Sequence, residues 1–218
     1  FIHYVYEKYS GTRLGRQELE GEILFDVPGA LFNYSNLDQY RVTKAPELKS
    51  IIVSIDPAVT AEDGSNETGI VVAGIDENDH GYLLEDKSGL YSPQEWGEIA
   101  VKAYEKYKAD YIVAEVNNGG DLVSNNIKQV GKALGYKHIP VKSVHATKGK
   151  WLRAEPVSTL YEQGKIHHVG SFPTLEDQIT TWMPGDKISP DRLDSMVWAF
   201  TYLLVKQTEV FTSSESLW

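Results

Sequence analysis

The chain has 218 residues, 41% of them hydrophobic and 11% aromatic, so it has the length and apolar content to bury a core, and global disorder is excluded. Its 31 Asp and Glu against 21 Lys and Arg give a formal net charge of −10, which argues against nucleic-acid binding by bulk charge but not against chemistry that itself requires carboxylates. The absence of cysteine rules out disulfides, zinc–thiolate sites and thiol nucleophiles and fits a reducing cytoplasm, and no apolar run approaches the roughly 20 residues that span a bilayer.

The first 48 residues mix aromatics, charges and glycines without sustained periodicity. They predict a short helix over Gly15 to Glu22 and then irregular chain, a linker or lid, and the start FIHYVYEKYSGTR lacks the pattern of a signal peptide. From Lys49 the pattern changes to apolar runs bounded by turn residues. SIIVSID, TGIVVAGID and YLLEDKS, joined by short connections, predict three strands of an antiparallel meander. Ser92-Pro93-Gln94-Glu95 reads as an N-cap, a proline at the first helical position and a nearby acid, opening a helix to about Tyr107 with Trp96, Ile99, Ala103 and Tyr107 on one face.

The strand DYIVAEV, a helix from Asp121 to Leu134, the strand HIPVKSV and a helix from Thr147 to Gln163 follow, an alternation that implies parallel crossovers. KIHHVG predicts a short strand, Leu175 to Thr181 a small helix, and Arg192 to Lys206 a last helix with Leu193, Val197, Phe200 and Leu204 apolar. The order predicts an α/β fold, helices around a mixed sheet. The domain reading is 1–48 linker, 49–207 catalytic domain and 208–218 polar tail.

The acids carry the chemistry. Asp56 closes the first strand and Glu115 the fourth, each after β-branched residues, and open α/β sheets bind ligands at the carboxyl ends of their strands. Asp191 and Asp194, three apart at the start of the final helix, share one face. If these elements pack together, three or four carboxylates meet, which is tolerable at neutral pH only around a cation. Oxygen-only ligands favour Mg²⁺ or Mn²⁺, and a pair of such ions suits phosphodiester hydrolysis. Taken singly, each acid reads equally as a solvated strand end or a helix-dipole partner.

Between Leu122 and Ala154 stand seven basic residues, Lys128, Lys132, Lys137, Lys142, Lys148, Lys150 and Arg153, and no acid. Charge segregated this way in an acidic protein suits a polyanion, and SVHATKGKWLR offers Lys148, Lys150 and backbone amides at a helix start. His145, His167 and His168 read as structural; HH in a strand sends its two rings to opposite sides. Trp96, Trp182 and Trp198 read as core or groove residues.

In this order and spacing, SIDPA with DGSNETGIVVAG, AEVNNGGD, KGKWLRAEP with YEQGKIHHVG, and RLDSMVWA resemble the ribonuclease H-like (retroviral integrase-like) fold. More narrowly, they resemble the C-terminal nuclease domain of tailed-bacteriophage large terminase subunits. The resemblance implies Asp56 and Glu115 as the two strand acids and Asp194 as the helix acid of a site for two divalent ions. Asp191 matches a position that in related domains is a further acid or a histidine, and Asp121 stands near the site without an assigned role. Lys142, Lys148, Lys150 and Arg153 are the expected DNA contacts.

No Walker-type motif is present, so the resemblance implies a nuclease domain separated from its ATPase. The implied function is cutting concatemeric viral DNA in the host cytoplasm during packaging, with double-stranded DNA, a portal protein, the small terminase subunit and the ATPase domain as partners and no membrane. Three alternatives remain at this stage. One is a Holliday-junction resolvase or transposase of the same fold, distinguished by cutting of branched DNA. Another is an actin-like ATPase using DGSNETG as a phosphate loop, and the third is a docking module with vestigial carboxylates, distinguished by nucleotide and metal binding respectively.

Overall fold

The computed structural model describes residues 26–57, 67–116, 121–146, 149–183, 185–186 and 190–205 and the positions 15, 17, 19 and 21. Its sheet has six strands: β1 (Ser50–Asp56), β2 (Gly69–Ile75), β3 (Gly81–Asp86), β4 (Tyr111–Glu115), β5 (Val141–Val144) and β6 (Ile166–His168). They lie in the order β5-β4-β1-β2-β3-β6. β1, β2 and β3 pair antiparallel, the predicted meander, while β4 joins β1, β5 joins β4 and β6 joins β3 in parallel.

Among the described residues, α1 (Tyr34–Gln39), α2 (Pro93–Tyr107), α3 (Asp121–Ala133), α4 (Lys150–Glu162), α5 (Pro173–Thr181) and α6 (Asp191–Phe200) surround the sheet, and α6 runs on into a π-helical turn over Thr201–Val205. α2 begins as the sequence predicts. The Ser92 hydroxyl accepts from the Glu95 amide, and the Glu95 carboxylate accepts from the Ser92 amide at 2.8 Å, a complete capping box. Its buried face centres on Trp96, Ala100, Val101 and Ala103, slightly rotated from the predicted one. β5 is shorter than HIPVKSV suggests, because Pro140 has no N–H to give the ladder. α4 starts three residues later than expected, at Lys150 with Gly149 as its N-cap.

Side chains alternate across the sheet and split the core in two. Val53, Ile55, Ile70, Val72, Ile112 and Ala114 pack under α2 and α3 with Trp96, Ala100 and Ile127. Ile52, Val71, Ala73 and Val113 face α4, α5 and α6 through Val157, Ile179, Leu193 and Val197. No helix among the described residues is long and apolar enough to cross a membrane.

The segment before the sheet differs from its reading as irregular chain. The described positions Gly15, Gln17 and Leu19 are helical, as predicted, but Gly21, inside the predicted helix, is not and has φ +70°. α1 is additional, and its support is distant. Asp26 Oδ1 accepts from the Tyr34 amide at 2.8 Å and Oδ2 from the Ser35 hydroxyl at 2.6 Å, a cap supplied from eight residues upstream. Phe32 and Leu37 are buried within the α4–α6 core, and Val42 bridges Val169 in parallel beyond β6. The predicted tail, 208–218, lies outside the described residues.

Candidate active site

Parity places the strand acids. In β1, Ile52, Ser54 and Asp56 point to one face; Ile52 belongs to the core beneath α4 and α6. Parallel register matches Ser54 with Val113 and Ile55 with Ala114, so Glu115 follows beside Asp56 and points to the same face. Both carboxylates therefore stand at the carboxyl ends of neighbouring strands, under the start of α6.

α6 is held down at that spot. The Ser195 hydroxyl donates to the Ser54 carbonyl at 2.9 Å. In the antiparallel pair, Gly69 lies opposite Asp56, and a Cβ on Gly69 would stand 2.1 Å from the Asp191 carbonyl oxygen and 2.8 Å from Ser195 Cβ. The helix touches backbone at Gly69, which only glycine permits. Arg192 adds a clamp: it donates to both Glu67 oxygens at 2.8 and 2.7 Å and to Asp86 at 2.6 Å. Burial works against the Arg192 charge, but Glu67 and Asp86 outweigh it and raise its pKa. The clamp ties the first turn of α6 to the start of β2 and the end of β3.

The acids sit in each other's field. Asp194 is 2% exposed, while Asp56, Glu115 and Asp191 are partly buried. Burial first, and then the charges of Asp194, Glu115 and Asp191, push Asp56 well above the ordinary carboxylate range, with Lys150 opposing. Asp191 is pushed up to about 6 by burial, against Lys150 and with Asp194 and Glu67 adding to the rise.

Two cations from α4 reach in. Lys150 Nζ lies 2.6 Å from Asp194 Oδ2 and Arg153 NH2 3.2 Å from Asp194 Oδ1, with Arg153 NH1 3.8 Å from Glu115. The guanidinium also lies over the Trp198 ring, 4.7 Å from its centroid, and the Trp198 indole N–H donates to Glu115.

The four predicted acids are therefore neighbours, but they do not form a closed cage. Among the described residues no three acids or histidines are arranged to hold one ion as they stand, because Asp194 turns to Lys150 and Arg153, and Glu115 turns to Trp198. The donor set still suits a hard divalent cation. All its ligand atoms are carboxylate oxygens, and four carboxylates, Asp56 among them, face two cations, so that fully ionised they exceed the cations by two negative charges.

The basic residues divide. Arg153 is buried at 9% exposure and serves the acid cluster rather than an open DNA-facing surface. Lys150 is half exposed and paired with Asp194. Lys142 is exposed on β5, its ammonium 5.2 Å from the Tyr111 ring centroid. Lys148, the loop 117–120 and the DGSN part of the DGSNETG loop lie outside the described residues, as does the side chain of Asp121, while Glu67, Thr68 and Gly69 of that loop are described. Two of the three histidines are packed among neighbours: His168 points inward between Tyr161 and Glu176, and His167 outward to His80.

Sequence reading missed Trp198, Arg192, Glu67 and Asp86. Trp198 had a usable signal, four residues after Asp194 and so on the same helix face. The Arg192 clamp joins three distant segments and had none.

The model of the terminase RNaseH-like domain family matches residues 53–205. The chain belongs to this family. Solved structures agree on the ribonuclease H-like fold. The large terminase nuclease from the thermophilic phage G20c superposes with a TM-score of 0.55 at 14% identity, covering 79% of this chain and 98% of that one. The nuclease domain of the large terminase subunit gp2 of bacterial virus Sf6 gives 0.55 at 11% identity, covering 78% and 97%. A variant of the Sf6 domain with manganese gives 0.54 at 10% identity, covering 78% and 98%. No curated protein matches the chain significantly. The mixed sheet with its meander is thus the terminase RNaseH-like one.

Proposed function

We propose that this terminase RNaseH-like domain is a divalent-metal-dependent DNA endonuclease that cuts concatemeric viral DNA during genome packaging in the host cytoplasm. The observation that carries the reading is the meeting of Asp56 and Glu115, on adjacent strand ends, with Asp194 buried beneath the start of α6. Asp56, Glu115 and Asp194, with Asp191 at the rim, would hold two Mg²⁺ or Mn²⁺ ions. Bound there, such ions activate water and stabilise the leaving oxygen of a phosphodiester.

The chain's own residues do the rest. Arg153 and Trp198 hold the carboxylates of Asp194 and Glu115 near Asp56, and each acid would have to turn from that partner to ligate an ion. Of the two cations, Lys150 has 49% of its side chain exposed and a flexible stem; it is the one able to leave Asp194 and pair with a phosphate of the strand. The substrate is double-stranded DNA. The ATPase domain of the same polypeptide, the portal and the small terminase subunit are the proposed partners.

The test is incubation with supercoiled plasmid in Mn²⁺ or Mg²⁺. Nicked and linear products are expected with either ion and none in excess EDTA. Cutting in EDTA, or full cutting by Asp194→Ala, would overturn the assignment. A domain that binds neither metal nor DNA would instead be a docking module.

The close approach at Gly69 yields a second expectation. Gly69→Ala places a methyl against a backbone carbonyl rather than a yielding side chain, so α6 must move away from β1 and β2. A loss of about 1–3 kcal/mol in stability is expected. Misplacing Asp194 by an ångström is expected to lower plasmid cutting by about 10²-fold more than stability accounts for. Urea unfolding and initial cutting rates measured on the same preparation check both numbers.

A further inference from the structure

Lys128, Lys132 and Lys137 are among the basic residues between Leu122 and Ala154 that have no place in the acid cluster. Lys128 and Lys132, one turn apart on α3, and Lys137, in the α3–β5 turn, border a groove of about 500 Å³ with Tyr136, His138 and Ile139. α3 starts just beyond the strand end that carries Glu115 and runs 13 residues away from it, so the groove lies about 20 Å from the acids, towards the opposite end of the sheet.

The groove is built, not a chance gathering of side chains. α3 ends in a Schellman motif: Gly135, at φ +93°, donates its amide to Lys132 O at 3.1 Å, and Tyr136 donates to Gly131 O at 2.9 Å. Ile139 is 3% exposed and packs so tightly on Gly131 that a Cβ there would meet it at 2.5 Å. The turn presenting Tyr136, Lys137 and His138 is therefore fixed, and Tyr136 and Ile139 give the lysine stems an apolar floor.

Its lysines differ from several others on the surface. Lys49, Lys87, Lys102 and Lys106 each have a carboxylate oxygen at 2.6–3.0 Å. Lys128, Lys132 and Lys137 are exposed and make no ion pair among the described residues. Glu105 approaches from α2, and its carboxylate near the Tyr136 hydroxyl raises the pKa of that hydroxyl. A helix C-terminus accounts for Lys132 alone, as a partner of the last carbonyls; it accounts for neither Lys128 nor Lys137.

Further basic residues border the same edge of the sheet. β5 is the open edge of the sheet, and the chain carries Lys137 at its near end, exposed Lys142 on the strand and Lys150 at the acid cluster. Duplex DNA presents one phosphate charge per ~1.7 Å, so a duplex lying along this edge meets the groove and the acids within about six base pairs.

We propose that the Lys128–Lys132–Lys137 groove is a second, sequence-independent binding site for the phosphate backbone of duplex DNA, which holds the substrate at a distance from the cut. The proposal rests on the nuclease reading and adds to it a separate anchor.

The test is binding of a duplex of about 30 bp, without metal, across a salt series. It compares the parent, the triple variant Lys128→Ala/Lys132→Ala/Lys137→Ala, and a control, Lys49→Ala/Lys102→Ala/Lys106→Ala, that loses the same charge from acid-paired positions. The groove variant is expected to bind at least tenfold more weakly at about 0.1 M salt, with the slope of log K against log salt reduced by about 2 to 3, while the control keeps the parent slope. An unchanged slope in the groove variant, or an equal loss in the control, overturns the proposal and leaves the groove to an acidic protein surface. If the parent still cuts plasmid in that case, only the second site has failed. A parent that neither binds nor cuts DNA removes both readings.

Discussion

Asp56→Asn is expected to melt at a higher temperature than the parent in metal-free buffer at pH 7.5 and to lose plasmid cutting by on the order of 10³-fold or more. Both effects have one cause. Burial and the charges of Asp194, Glu115 and Asp191 hold the folded-state pKa of Asp56 well above its ordinary value near 3.8. An acid raised in this way binds its proton more tightly when folded, so its ionisation opposes folding as pH rises from about 4 through the raised pKa, and the penalty is complete above it. Asparagine keeps the shape and removes the charge. The same charge is what a divalent ion needs, so stability and activity move in opposite directions. A variant that melts no higher than the parent and still cuts would show that Asp56 is an ordinary solvated strand end.

The largest stability effect is expected far from the acids. Glu176 on α5 is 1% exposed. It accepts from Arg41 at 2.6 and 3.2 Å, from His168 Nδ1 at 2.8 Å and from the Phe172 amide at 3.2 Å, while the Tyr161 hydroxyl bonds the other ring nitrogen of His168 at 2.8 Å. Burial raises the Glu176 pKa, but the hydrogen bonds and charges of His168 and Arg41 outweigh it and hold the carboxyl down at about 2. Glu176→Gln removes the buried carboxylate from Arg41 and leaves it only the exposed Asp38, 3.3 Å away, and breaking a buried pair from one side costs about 3–5 kcal/mol, a fall in melting temperature on the order of 10 °C for a domain of this size. Because the folded pKa is depressed, the parent is expected to lose this stability as pH falls from about 4.5 towards 2, and the variant to show a flatter acid limb. Thermal melts of both proteins across that window check the sign. Equal melting temperatures at pH 7 would contradict it.

The network has a structural consequence. Arg41 follows α1, and Phe32 and Leu37 of the same segment are in the main core. Residues read from sequence as a linker are thus packed on the sheet and locked by a buried ion pair.

How much was legible depended on how local each determinant is. α2 was readable because its capping box lies within four residues, whereas α1 was not, because Asp26 caps it from eight residues away. The acids were readable one by one as strand ends and a helix face. That Asp56 and Glu115 are neighbours follows from β4 crossing over to lie beside β1, which no local pattern states. The basic stretch was legible as a composition, but its division was not. Arg153 turned inward because α4 packs that face on α6, while Lys128, Lys132 and Lys137 lie on a different element and point to solvent. The roles of Glu67, Asp86 and Arg192 exist only in the folded chain.

Asp56, Glu115 and Asp194 are proposed together to hold catalytic divalent ions. Crystals of the parent soaked in millimolar Mn²⁺ and measured above the manganese edge test it most directly. Anomalous peaks coordinated by Asp56, Glu115 and Asp194 are expected, with the Lys150 ammonium displaced from Asp194. Full occupancy of the site by Lys150 and no peak among these carboxylates would contradict it.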